Sequence, residues 1–580
     1  MSSWDEAADL VIVGSGGGAL VAALAASSAG AEALVLEKQE RVGGSTAMSG
    51  GIAWIPNNPV MRAAGIADSY EDAMVHFETV VGDVGPASSP QRRQAFLTAG
   101  PEMVDFLQQL GIRFAYCRGY SDYYSNLAGG HDLGRGIEPV PFDGRVLGPW
   151  LDRLQPGLAQ TLGLAVMTNE ARSLSHYNRS LRSFAVAARV VMRTYAARAR
   201  HQALLTNGAS LVGQLLAVAL GRNIPVWTEA PVEELVMEGG RVVGVRVRRG
   251  GSSLLVHARR AVLLASGGFA HNRQMREEFG GDQPNSAKWS IANPGDTGEC
   301  IQAAIRLGAK TDLMDEAWWL PSPRTGRFAQ STLDQARQRP RTIYVDASGR
   351  RFVNESNSYM EVGKAMYARD KTSRAVPCWL IFDDRYRKRY AHQRSRPGRL
   401  PRSLLESGMV KQAWTIEDLA RVCGIDPQGL VDTVQTFNRH AAEGRDPEFG
   451  RGASAYNRAL GDPNRRVHPC LGPIDEPPYY AVQVVPGDIG TCGGLVTDEH
   501  ARVIAESGEP IAGLYATGNC TATVMGRHYL GPGASIANSM VFGYVAARHA
   551  TAGDRAAASD SAAADNSAGI VGTDSHVPST

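Results

Sequence analysis

The segment Asp9-Leu-Val-Ile-Val-Gly14-Ser-Gly16-Gly17-Gly18-Ala19 sets an apolar run against a turn of small residues, and a second run, Ala33 to Leu36, ends on Glu37. This order reads as strand, tight turn, helix, strand and acid. Gly14 makes the turn, Gly16 lets the backbone approach a pyrophosphate, and Ala19 lets helix and sheet pack closely. The helix N-terminus then offers free N–H groups and a positive dipole end to phosphates. Glu37 stands 18 residues beyond Ala19, where a carboxylate can hold a ribose 2′-OH. Residues 1 to about 60 therefore form a βαβ unit that binds a dinucleotide.

Two further segments bear on which dinucleotide. Arg41-Val-Gly43-Gly44-Ser45-Thr46-Ala-Met-Ser49-Gly50-Gly51 is a second small-residue loop, fit to lie against phosphates and a flat ring. Near the far end stands Gly513-Leu-Tyr-Ala516-Thr-Gly518-Asn519. With the first segment, these resemble the FAD-binding pattern of the succinate dehydrogenase/fumarate reductase flavoprotein superfamily. The resemblance implies an α/β fold: a Rossmann-like FAD-binding domain with an inserted α+β catalytic cap domain. It places FAD contacts on Gly14, Gly16, Gly17, Gly18, Ala19, Glu37 and Lys38 of the first unit. In the second loop it places them on Gly44, Ser45, Thr46, Ser49, Gly50 and Gly51. Val232, Ser266, Gly267, Gly518, Asn519, Ser535 and Ile536 complete the set. Ala261 to Phe269 is a buried strand ending in Ser266-Gly267-Gly268, which in the superfamily returns the chain to the adenosine side of FAD. No second glycine fingerprint with a ribose acid follows it, which argues against a built-in nicotinamide. Membrane-bound relatives attach flavin through a histidine in the loop after the ribose acid. Gly43 to Gly51 contains none, so FAD is expected to be non-covalent.

Composition excludes several other classes. A chain of 580 residues should form more than one domain, on a prior of about 100–200 residues each. A net charge of +2 argues against a nucleic-acid binder. The seven cysteines have no CxxC or zinc spacing and read as reduced thiols of a cytoplasmic protein. No HxxxH, HExxH or acid cluster suggests a metal, and no GxSxG elbow suggests hydrolysis. The first core strand is reached by residue 10, which leaves no room for a signal peptide. No apolar run reaches the length of about 18 residues that a membrane span needs.

Along the chain, residues 1–276 are expected to form the first part of the FAD-binding domain. Residues 277–464, richer in Trp, Tyr, Arg and Pro, form the cap, and 465–552 return to the FAD-binding domain. Residues 553–580, rich in Ala, Ser, Asp and Gly, read as a disordered tail. Residues 155–220 are mostly helical and carry Arg172, Arg179, Arg182, Arg189, Arg193, Arg198 and Arg200. They read as a solvated face, with peripheral membrane association or partner binding as the alternative.

The chemistry lies in two segments outside the cofactor pattern. In Gly349-Arg-Arg351-Phe-Val-Asn354-Glu355-Ser-Asn-Ser-Tyr359, the Arg-Phe-Val-Asn-Glu run is shared with the superfamily. Soluble fumarate reductases place an arginine four residues after that glutamate; here the position is Tyr359. A phenol can act as a base when its pKa is lowered from about 10, but it cannot clamp a carboxylate. The substrate is therefore expected to be a neutral carbonyl compound. In the second segment, Met525 to Asn538, Ser535 begins an apolar helix whose N–H groups can hold negative charge on a reduced flavin. Tyr529 and the Gly533 N–H flank a Gly-Pro-Gly turn and can point at one oxygen, as an oxyanion clamp for an enolate.

At these residues the chain resembles the 3-ketosteroid Δ1-dehydrogenases. The resemblance implies proton removal from carbon 2 by Tyr359 and hydride transfer from carbon 1 to FAD. Tyr529 and Gly533 would hold the 3-keto oxygen. A further tyrosine that hydrogen-bonds the base falls in Tyr120-Ser-Asp122-Tyr123-Tyr124 and is assigned to Tyr123, with Tyr124 as the alternate. Trp318 and Trp319 would wall a flat ligand or serve the core, and His528 could be a second acid. Leu530, Ala537-Asn538 and the Asn126 to His131 loop depart from the family pattern and bear on substrate shape. The implied partners are a steroid ketone and an external electron acceptor, a quinone or flavoprotein. Desaturation of a simpler cyclic ketone, a fumarate- or enoate-type reductase, and a non-catalytic flavoprotein are the competing readings.

Overall fold

The computed structural model describes residues 4–157, 163–174, 177, 180–281, 287–324, 335–390 and 397–552. The segment read as a disordered tail, Arg179 and the Arg172 side chain lie outside the described residues.

The strand β1 (Glu6–Val13) is buried from Leu10 onward. It pairs in parallel with β2 (Ala33–Leu36) on one side and with the long strand at Ser252–Leu264 on the other. Coverage of both faces explains the uninterrupted apolar run. Val226–Trp227 extends the sheet beyond β2, and Pro510–Ala516 extends it beyond the long strand. Antiparallel strands at Val232–Glu238, Arg241–Arg249 and Arg502–Ile504 complete it. Helix α1 (Gly17–Ser28) is buried from Gly17 to Ala26, where small residues let neighbours pack on every side, and only Ser27 and Ser28 reach the surface. It crosses α5 (Ala534–Thr551) backbone to backbone. A Cβ at Gly18 would lie 2.4 Å from the Ser539 carbonyl, and one at Gly543 would lie 2.3 Å from the Gly18 carbonyl.

The second layer is an antiparallel sheet. Ala317–Pro323, Tyr479–Thr491, Cys378–Asp383 and Thr342–Val345 lie in that order, with Val410–Ala413 also on Tyr479–Thr491. Tyr479–Thr491, within the span 465–552, pairs with strands of this second sheet. Helix Glu299–Arg306, within the span 277–464, buries Cys300, Ile301 and Ala304 in the nucleotide-binding core. Composition tracks burial, and strands of both sheets are buried, so it does not reveal which sheet a strand joins.

Helix α3 (Leu181–Ala199) carries Arg182, Arg189, Arg193 and Arg198 and packs on Thr168–Leu174; Arg193 and Arg189 both pair with Glu170. Helix α4 (Tyr359–Asp370) packs on the cap strands Ala317–Pro323 and Tyr479–Thr491. No helix among the described residues is long and apolar enough to cross a membrane. All seven cysteines are buried and free of disulfides.

Candidate active site

The nucleotide end is built around Glu37. Ser15 Oγ donates to its Oε2 at 2.5 Å and itself accepts the Gly43 N–H at 2.9 Å. The Gln39 N–H donates to the other carboxylate oxygen at 2.9 Å. Burial raises the carboxyl pKa above the ordinary value. Three helices begin on glycine with no side-chain cap: α1 at Gly16, α2 (Gly44–Met48) at Gly43, and α5 at Gly533. Their unsatisfied N–H groups and positive ends suit a diphosphate and a ring that becomes anionic on reduction. Gly17 N–H donates to Thr46 Oγ1 at 3.1 Å, which ties the first two helix ends together. Ser49 Oγ accepts the Gly51 N–H at 3.0 Å, and the Gly50 carbonyl accepts Thr168 Oγ1 at 2.7 Å. Gly14 is left-handed, and a Cβ there would lie 2.3 Å from the Ala265 carbonyl. These residues fit a dinucleotide.

Other members of the expected cofactor set are placed as follows. Ser45 Oγ donates to Asp296 at 3.0 Å, and a Cβ at Gly267 would press on the same carboxylate at 2.4 Å. Burial pushes Asp296 up to about 7. Sequence reasoning missed Asp296; its signal was an acid between Gly295 and Gly298. Ser266 lies beside Gly267 and hydrogen-bonds Cys300. Lys38 turns to Glu299 at 2.9 Å and Thr297 at 2.6 Å. Val232 opens the strand Val232–Glu238 and pairs with Val247. Gly518 packs against Ser539, and Asn519 accepts the Trp318 indole N–H at 3.0 Å. Ala19 is fully buried in α1, and Ser535 and Ile536 lie in the first turn of α5.

The structure brings the three expected tyrosines together. Tyr359 opens α4, Tyr529 precedes α5, and the Tyr123 N–H donates to the Leu530 carbonyl at 2.9 Å. Ring centroids are 5.3 Å apart for Tyr123 and Tyr359, 5.2 Å for Tyr359 and Tyr529, and 5.5 Å for Tyr123 and Tyr529. Tyr359 hydrogen-bonds both neighbours, and burial pushes its phenol and that of Tyr123 well above the ordinary range. Tyr529 Oη lies 3.1 Å from Ser535 Oγ, at the start of α5. Gly533 is left-handed, and a Cβ there would lie 1.9 Å from the Ile52 carbonyl. Its N–H has no acceptor among the described residues. Trp318 sets its edge on Tyr529 at 4.9 Å, whereas Trp319 packs on Tyr367 and donates to Glu316. Tyr456, which no motif marked, lies 4.4 Å from Tyr123.

Tyr124 points elsewhere. Its hydroxyl donates to Glu361 at 2.8 Å, and His528 meets the same carboxylate oxygen at 3.2 Å. Lys364 stands 3.5 Å from it. Burial acts to raise the Glu361 pKa, but the His528 hydrogen bond and the Lys364 charge hold it down to about 2. His528 thus pairs with a carboxylate beside the clamp.

Comparison with known proteins agrees with this geometry. The FAD binding domain family model matches residues 9–536. A 3-oxosteroid 1-dehydrogenase of Mycobacterium tuberculosis is 41% identical over 557 residues, covering 93% of this chain and 98% of that one. A 4-oxocyclohexanecarboxylate 2-dehydrogenase of Sinomonas cyclohexanicum is 35% identical over 558 residues, with 93% and 92% covered. The crystal structure of 3-ketosteroid Δ1-dehydrogenase from Sterolibacterium denitrificans, in complex with 1,4-androstadiene-3,17-dione, superposes with a TM-score of 0.88 at 37% identity. It covers 94% of this chain and 100% of that one. The chain belongs to the FAD-dependent 3-oxosteroid 1-dehydrogenases, oxidoreductases of the FAD-binding flavoprotein fold.

Proposed function

We propose that this chain introduces the 1,2-double bond of a 3-ketosteroid, with Tyr359 as the base and Tyr529 with the Gly533 N–H as the carbonyl clamp. The observation that carries this reading is the meeting of three buried phenols at an uncapped helix N-terminus. Bound FAD supplies the hydride acceptor. The Tyr529 O–H and Gly533 N–H hold the 3-keto oxygen, and the positive end of α5 supports the charge that grows there as the C2–H bond breaks. Tyr359 takes that proton. In the free protein burial keeps Tyr359 protonated, so its own proton must first pass to a hydrogen-bonded neighbour or to water. Of its two hydrogen-bonded neighbours, Tyr529 serves the clamp and Tyr123 is left to take it, and Trp318 walls the flat rings. A diacid substrate would bring two charges into a pocket whose expected arginine is a tyrosine, which disfavours fumarate reduction. Glu37, Asp296 and the glycine segments would hold FAD without a covalent bond, and an external quinone or flavoprotein would reoxidise it.

The test is anaerobic addition of androst-4-ene-3,17-dione to the yellow holoprotein, following flavin absorbance and formation of the 1,4-diene. Bleaching without diene, or turnover confined to simple ring ketones, would overturn the steroid assignment.

The apolar stripe of α3 supports peripheral membrane association. Leu181, Phe184, Met192 and Tyr195 are 89%, 60%, 64% and 59% exposed, at helical spacing, beside exposed Arg182, Arg189 and Arg198. Co-sedimentation with anionic but not zwitterionic vesicles, abolished by Leu181→Asp with Phe184→Asp, is the expected result.

A further inference from the structure

Arg337 is buried, 2% exposed, yet it forms no ion pair among the described residues. Its neighbours in the cap differ. Arg341 pairs with Asp383, Arg351 with Glu355 and Asp446, and Arg451 with Glu355. A buried cation without a carboxylate is destabilising unless its hydrogen bonds and surroundings compensate it. The acceptors of Arg337 are specific. It donates to the Glu355 carbonyl at 2.5 Å and the Asn357 carbonyl at 2.6 Å, both in the turn that presents Tyr359. It also hydrogen-bonds the phenol oxygen of Tyr456, whose ring lies 4.4 Å from that of Tyr123. One guanidinium therefore fixes the segment carrying the proposed base and the ring packed on the base's partner.

We propose that Arg337, seated by Tyr456, is the resident positive charge that stabilises the phenolate formed on the Tyr123–Tyr359 pair, from which Tyr359 then takes the carbon-2 proton. Arg337 is a positioning and electrostatic residue, and the inference rests on the reading of Tyr359 as the base. Its field reaches Tyr123, where it favours the ionised phenol against the burial that opposes it. The other titratable groups around the pair do not supply this charge. Tyr529 and Tyr456 are phenols, Glu355 is matched by Arg351 and Arg451, and Glu361 is matched by His528 and Lys364. In a low-dielectric pocket, a single unmatched cation has a large effect on any anion that forms.

The experiment compares holoenzyme pH profiles of kcat/KM for wild type, Arg337→Gln, Arg337→Lys and Tyr456→Phe. Arg337→Gln should move the acid limb upward by about one pH unit and lower kcat near neutrality about tenfold, with KM little changed. Arg337→Lys should restore most of the limb position, and Tyr456→Phe, which keeps the ring and loses the acceptor, should move it part of the way. An unmoved limb in folded, FAD-loaded Arg337→Gln overturns the inference. If that variant does not fold, an unmoved limb in Tyr456→Phe does so. Tyr359→Phe separates the two readings. If it turns over normally, the base assignment falls and this inference with it. If it is inactive while the Arg337 and Tyr456 limbs stay put, only this inference falls.

Discussion

Three chain segments each contribute to two adjacent clusters of opposite character. Tyr123, Tyr359 and Tyr529 face inward, while Tyr124, Glu361 and His528, their sequence neighbours, form a half-buried charged group with Lys364. The inner cluster is buried, and burial drives the Tyr123 and Tyr359 phenols toward the neutral form. In the outer cluster, matched charges hold a carboxylate ionised down to about 2. The difference shows how a loop, a helix start and a turn, distant in sequence, are held in register. Glu361, hydrogen-bonded by Tyr124 and His528, fastens the three segments together without placing a fixed carboxylate among the phenols. A carboxylate there would oppose formation of an enolate, whereas outside it is balanced by Lys364 and hydrogen-bonded by His528.

The sharpest way to break this contrast is Tyr359→Phe. Turnover should fall by about 10²–10⁴-fold, the range of a general base, with FAD absorbance and thermal stability retained. Tyr529→Phe comes next. Losing one donor to the developing oxyanion should lower kcat about 10²–10³-fold, visible in single-turnover flavin reduction. On the outer cluster the effect should fall on stability instead. Glu361→Gln should lower unfolding free energy at neutral pH by about 1–2 kcal/mol, with kcat changed by less than about tenfold. Glu361 has a depressed pKa in the folded state, so its contribution is full above the unfolded value of about 4.3 and fades as pH falls toward 2. Melting curves should therefore show the gap between wild type and Glu361→Gln closing between about pH 4 and pH 2. A gap that widened in acid would show that Glu361 is not held ionised. The smallest effect is expected from Tyr124→Phe. It removes one hydrogen bond, worth about 0.5–1.5 kcal/mol, and should leave the kcat/KM profile unchanged. If Tyr124→Phe abolished turnover while Tyr123→Phe did not, the inward and outward assignments would be reversed.

The cofactor half was highly legible in the sequence. Gly14, Ala19 and Glu37 act through backbone conformation, close packing and a fixed offset from a strand end, all local quantities. The helix start near Ser535 was legible for the same reason, although the structure begins α5 at Ala534 with Gly533 as its cap. The cap was less so. Tyr479–Thr491 looks like any buried strand, and its partners at Ala317–Pro323 and Cys378–Asp383 are remote in the chain. Asp296 was missed because a single acid between glycines is a common turn pattern. Tyr456 was missed because it sits in a short, unremarkable helix at Ala455–Ala459.

By itself the sequence determined the βαβ unit, the small-residue loops that accept a dinucleotide, and the tyrosines available for chemistry. Each depends on geometry written within a few neighbouring residues. Only the tertiary structure decided that Tyr123 turns inward and Tyr124 outward, and that Tyr456 and Arg337 close on the same cluster. Those choices depend on packing between a loop near residue 120, the cap and the last helix. Alternate side chains of one segment are equivalent until another surface buries one and leaves the other beside charges.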